Sequence, residues 1–156
     1  MIRINLCFGS LVAVGLLAGA ATPACAQADL PVYTDALQNG FENWSWATVD
    51  LANASPVHSG AASIKVTAKG WEAFRVHATA PIATASYSSL TFWINGGAAG
   101  GQPLSLQATV NGNAQTAVDL GMAAANSWKQ YTISMAALGL AGQASFRWVL
   151  DSKQQR

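Results

Sequence analysis

A chain of 156 residues with eight Lys and Arg against seven Asp and Glu, charged at only 10% of its positions and apolar at 51%, lacks the basic footprint that nucleic acid or an anionic membrane surface demands. The same shortage of ionisable side chains leaves few groups for acid and base chemistry. What the composition supplies instead is tryptophan, six in all, at positions 44, 46, 71, 93, 128 and 148.

The amino-terminal stretch reads as an export signal. Met1 to Asn5 carry one positive charge at Arg3, an almost unbroken apolar run follows from Leu6 to Ala21, and Thr22-Pro23 leads into the small-residue pattern Ala24-Cys25-Ala26. A charged start, an apolar core and a small-residue site make a secretory signal peptide over residues 1–26, cleaved after Ala26 or, on Ala26-Gln27-Ala28, after Ala28. The run is shorter than the ~20 residues that a membrane span prefers. Thr22 also stands where a lipidation signal places a large aliphatic residue. The expectation is a secreted or periplasmic protein with no membrane attachment after cleavage. Removing 26 of the 156 residues leaves 130, the size of one domain with its own core, 27–156. Cys7 and Cys25 both fall in the leader, so the processed form holds no disulfide, thiolate metal site or cysteine nucleophile. Its seven basic and seven acidic residues cancel.

Beyond the leader the pattern is strand after strand. An irregular opening strand spans Phe41 to Val49. Ser63 to Thr67 alternates Ile64 and Val66 with Lys65, and Trp71 to Thr79 alternates Phe74 and Val76 with Arg75 and His77. Leu90 to Ile94 alternates Leu90, Phe92 and Ile94 with Thr91 and Trp93, and Leu104 to Val110 sets Leu104, Leu106, Ala108 and Val110 against Ser105, Gln107 and Thr109. Trp128 to Ile133 and Ser145 to Leu150 complete the series. The one helix-like stretch, Gly121 to Asn126, is short and bounded by turn residues. Turn signals separate the strands, the strongest being Asn111-Gly112-Asn113, because Asn and Gly accept the positive φ of a tight hairpin. Short alternating strands without helices between them predict an all-β, antiparallel two-sheet sandwich.

Several segments carry a family likeness. Asn43-Trp44-Ser45-Trp46-Ala47-Thr48, the run Ser55-Pro56-Val57-His58-Ser59-Gly60-Ala61-Ala62-Ser63-Ile64-Lys65-Val66, Trp71, and Ser89-Leu90-Thr91-Phe92-Trp93-Ile94-Asn95-Gly96-Gly97 together resemble the galactose-binding-like jelly-roll carbohydrate-binding modules of secreted bacterial proteins. The likeness runs from about Tyr33 to Asp151, and its His-Ser-Gly turn marks the fold more than a ligand. It implies a jelly roll whose last strand, of the type Phe-Tyr-Val-Asp-Asp-Ile, returns beside the first and often lends an acidic ligand to a structural calcium ion. This chain stops at Asp151-Ser152-Lys153-Gln154-Gln155-Arg156, so either that strand is missing or another segment covers the edge. No cofactor is expected, and the departure weakens the case for calcium; Asp35, Glu42 and Asp50 remain as oxygen donors.

If the aliphatic set points inward, Arg75, His77, Thr91, Trp93, Asn95, Ser105, Gln107 and Thr109 share the outer faces, and Trp71 has the parity of Arg75. Sugars need this mixture: C–H faces stack on flat rings, and hydroxyls pair with planar donors and acceptors. Trp44, Trp46, Trp71, Arg75, His77, Trp93, Asn95 and Gln107 are the candidate ligand-binding residues. Trp128 and Trp148 read as packing residues, and His58 as a loop residue. A glycosidase needs two facing carboxyl groups, and Glu42, Glu72, Asp50 and Asp119 show no motif that unites them. No nucleophile elbow, metal-binding helix or phosphate loop is present in the sequence. The expectation is therefore non-catalytic binding of a polysaccharide or oligosaccharide, and no enzyme. The rival reading is a secreted adhesive or structural sandwich that binds protein partners, or self-associates, through its open edge.

Overall fold

The computed structural model describes residues 2–5, 28–141 and 147–152. The expected leader lies outside them except for Ile2–Asn5, as does cleavage after Ala26, while the alternative site after Ala28 falls at the first described residues of the domain.

The fold is all-β and antiparallel, with one 3-10 turn at Thr84–Ser86 as the helical exception among the described residues. Among the described residues twelve strands occur in the order β1 (Ile2–Asn5), β2 (Leu30–Tyr33), β3 (Phe41–Asn43), β4 (Thr48–Asn53), β5 (Ser63–Thr67), β6 (Ala73–Ala78), β7 (Ser89–Asn95), β8 (Pro103–Val110), β9 (Asn113–Ala114), β10 (Val118–Met122), β11 (Trp128–Ser134) and β12 (Arg147–Ser152). The first sheet runs β11-β7-β1-β2 and the second β10-β8-β12-β6-β3, with β9 paired to β8; β4 and β5 form a separate hairpin. The chain crosses between the sheets from β2 to β3, β6 to β7, β7 to β8, β10 to β11 and β11 to β12, which is the jelly-roll habit of closing a sandwich.

The core follows from the alternation. Phe74, Val76, Leu90, Phe92, Leu104, Leu106, Ala108 and Val110 are all buried, and Phe92 stacks on its cross-strand partner Tyr131 at 5.5 Å. Met135, Leu138 and Leu140, on the irregular segment after β11, are buried with them, and the Thr84 hydroxyl donates to the Leu140 carbonyl at 2.5 Å. Asn111 and Gly112 both take positive φ, 49° and 84°, as the two central residues of a tight hairpin require.

Three details depart from the sequence expectation. Thr91, Ser105 and Thr109, assigned to the outer faces, are buried. Each is a short side chain on a strand paired on both sides, Thr91 between Arg3 and Thr132, Ser105 between Asp119 and Asp151, Thr109 between Ala114 and Arg147, a central place in the sheet that alternation alone does not reveal. Gly121 and Met122 end a strand rather than begin a helix. The edge beside β2 is covered by β1, while β12 lies inside the second sheet between β6 and β8.

Candidate functional site

The second sheet ends in β3, whose three residues pair with β6 as Phe41 with Ala78, Glu42 with His77 and Asn43 with Val76. The chain then leaves regular strand geometry but stays against β6. The Trp44 amide donates to the Arg75 carbonyl at 2.9 Å, and the Trp46 and Ala47 amides both donate to the Ala73 carbonyl at 3.2 Å. Between them the Ser45 hydroxyl accepts from the Arg75 amide at 2.9 Å, replacing a missing ladder bond. Trp-Ser-Trp is thus fixed along the sheet edge with both rings outside the core, 45% and 51% exposed.

The Trp44 ring lies flat on the His77 imidazole, centroids 3.8 Å apart and planes 15° from parallel. Its indole N–H donates to the Glu42 carboxylate at 2.8 Å, and the same oxygen is 3.9 Å from His77 Nδ1. The Arg75 guanidinium sits 6.0 Å from the Trp44 ring centre, with its Nε buried and without a hydrogen-bond partner among the described residues.

Trp46 links this group to Trp71 through an indole N–H bond of 2.6 Å to the Trp71 carbonyl. Trp71 occupies a turn in which the Glu72 amide donates to the Lys69 carbonyl at 3.1 Å and the Glu72 carboxylate accepts from the Lys69 amide at 2.9 Å. Its φ of +71° belongs to the third residue of a turn that normally takes Gly or Asn. A bulky residue there costs on the order of 1 kcal/mol, and burial does not repay it, because Trp71 is 88% exposed. The strained turn presents a flat ring to solvent.

The other predicted residues lie elsewhere. Gln107 shares a cross-strand row with Arg75, Val149 of β12 standing between them, and its amide donates to the Gln115 carbonyl at 2.8 Å. Trp93 and Asn95 belong to the first sheet. His58, from the loop joining β4 to β5, stacks on Trp93 at 4.0 Å and meets Trp128 edge-on at 5.6 Å; Asn95 accepts from the Gly97 amide at 2.8 Å. The structure therefore gathers Trp44, Trp46, Trp71, Arg75 and His77, places Gln107 farther along the same sheet, and puts Trp93 and Asn95 in the opposite sheet. It adds Glu42, two residues before Trp44, a carboxylate that the sequence offers only as a metal ligand or a catalytic acid.

Among the described residues no three His, Cys, Asp or Glu side chains converge as metal ligands. Asp35 accepts from the Ala61 and Ala62 amides at 2.8 and 3.0 Å, and Asp50 from the Ala52 amide at 2.9 Å. Tyr33, which donates to the Leu51 carbonyl at 2.7 Å, has its phenol pushed above the ordinary 10.0 by burial first, then by the charges of Asp35 and Asp50. Exposed rings beside a carboxylate, a guanidinium and an imidazole are equipped to stack on an apolar ring face and to hydrogen-bond hydroxyls around it.

No family model matches the chain. An endoglucanase from Dictyostelium discoideum is 30% identical to it over 132 residues, covering 80% of this chain and 19% of the endoglucanase. The chain thus spans about a fifth of the length of that relative. This finding corrects one expectation: the reading as no enzyme is contradicted, since the named relative is an enzyme.

Proposed function

We propose that this chain binds a glucan polysaccharide at the β3–β6 edge of the second sheet, stacking sugar rings on Trp44, Trp46 and Trp71 and hydrogen-bonding hydroxyls to Glu42, Arg75 and His77. The observation that carries this reading is Trp71, an 88% exposed indole held at a φ suited to glycine. A fold that places its largest apolar side chain there, against both solvation and backbone preference, does so for a partner with a flat apolar surface. The similarity to an endoglucanase supports a glucan as that partner. The claim concerns binding and holds with or without bond cleavage on the same chain.

Calorimetry against a panel of soluble glucans and unrelated polysaccharides tests it, with release of reducing ends followed on the same samples to score hydrolysis. Saturable binding to a glucan is expected, weakened about tenfold or more by Trp71→Ala. Unaltered affinity in a Trp46→Ala, Trp71→Ala double variant removes the site.

A further inference from the structure

The sequence holds three Asn-Gly pairs, Asn39-Gly40, Asn95-Gly96 and Asn111-Gly112. Such pairs share a spontaneous reaction, because glycine, lacking a Cβ, lets its nitrogen fold back onto the asparagine side chain. The glycine nitrogen gives its proton to hydroxide and bonds to the asparagine Cγ; the Cγ–Nδ2 bond breaks, and Nδ2 takes a proton from water and leaves as ammonia. Water then opens the resulting succinimide at one carbonyl or the other, leaving an aspartyl or an isoaspartyl residue. Closing the ring demands rotation about the Asn–Gly linkage, so a pair reacts in proportion to how readily its surroundings let go.

The fold treats the three pairs differently. At Asn39 the group that must leave is held, Nδ2 donating to the Pro31 carbonyl at 2.8 Å, and Gly40 is packed so closely that a Cβ there would lie 2.7 Å from the Thr79 hydroxyl. At Asn95 both partners are engaged. The Gly96 amide, which must attack, donates to the Ala124 carbonyl at 2.9 Å, and the Asn95 side-chain oxygen accepts from the Gly97 amide at 2.8 Å. Gly96 is also walled in, a Cβ there standing 2.6 Å from the Ala124 carbonyl oxygen. Asn111 and Gly112 meet none of these restraints. Both are exposed, and among the described residues no hydrogen bond engages the Asn111 side-chain amide or the Gly112 N–H. A Cβ added at Gly112 would meet nothing within 4 Å. The turn is closed by a strand of two residues, β9 pairing with β8 as Thr109 with Ala114 and Val110 with Asn113, so opening it breaks little structure.

We propose that Asn111 is a deamidation site, the Asn-Gly pair that the fold leaves free to cyclise, and that Asn39 and Asn95 are protected by their hydrogen bonds. The two products differ in consequence. An aspartyl residue keeps the turn, since Asp-Gly suits the same left-handed angles. An isoaspartyl residue carries the main chain through the side-chain methylene, which lengthens a two-residue turn and takes Thr109 and Ala114 out of register. Either adds a negative charge to a chain whose charges nearly cancel.

The test uses the full chain, held folded in mildly alkaline buffer and, in parallel, unfolded in urea. Samples are digested over time and the three Asn-Gly peptides followed by mass spectrometry, with an Asn111→Asp chain as the chromatographic standard for the aspartyl product. In the folded chain, conversion at Asn111 is expected to run at least about tenfold faster than at Asn39 or Asn95. In urea the three rates should converge, because the hydrogen bonds that set them apart are gone. No such lead at Asn111 in the folded chain, or an equal lead in urea, overturns the proposal. The readout involves no sugar, so the result is independent of glucan binding.

Discussion

Trp71 is where the backbone and the side chain disagree most openly. Its left-handed φ favours glycine, and its ring gains no burial in exchange. Stability and binding should therefore separate at this residue. Trp71→Gly is expected to be about 1 kcal/mol more stable than Trp71→Ala, since only glycine escapes the left-handed penalty, while both lose glucan affinity alike; urea denaturation paired with calorimetry reads the two effects. Tyr33 gives a second residue-scale prediction. Its phenol titrates higher in the folded protein than in the unfolded chain, so the neutral form is the one that folding favours. Its contribution is complete below pH 10.0, the ordinary value, and is lost as pH rises through the folded value. Urea midpoints should fall above that pH in the wild type. Tyr33→Phe should flatten this dependence and cost about 1 kcal/mol at neutral pH, because the Leu51 carbonyl loses its donor.

At the scale of elements, the hairpin between β8 and β9 rests on two consecutive positive φ angles. Gly112→Ala should cost about 1 kcal/mol there and leave ligand affinity untouched, a contrast that denaturation and calorimetry again resolve. That hairpin was legible because Asn-Gly has one dominant use between alternating strands. β7 and β8 were legible for the same kind of reason, burying Leu90 and Phe92 in the one and Leu104, Leu106, Ala108 and Val110 in the other at period two. β2 and β10 were not. Pro31 interrupts the first, which is tolerated because β2 is an edge strand. The register shift between Asp119 and Gly121 breaks the period of the second. Alternation also says which residues share a face without saying which sheet carries it, and so Trp93 and Asn95 looked like companions of Arg75 and His77 although they stand in the other layer. The hold of Trp-Ser-Trp on β6 depends on a serine hydroxyl 30 residues away in sequence from its partner, a contact that local patterning does not announce.

Taken whole, the molecule pairs a nearly neutral charge balance with aromatic display along one sheet edge, a combination suited to an uncharged, ring-bearing polymer. Affinity for a glucan should accordingly change less than about twofold between low and high salt, because no counterions are released on binding; titrations across a salt series check this. The most direct measurement of the central claim is a titration of the isotopically labelled chain with a soluble glucan oligosaccharide, following the indole N–H resonances of the tryptophans. The account predicts saturable shifts at Trp44, Trp46 and Trp71, with Trp93 and Trp128, packed around His58, unmoved. Shifts confined to Trp93 and Trp128, or no shifts at saturating sugar, would contradict it.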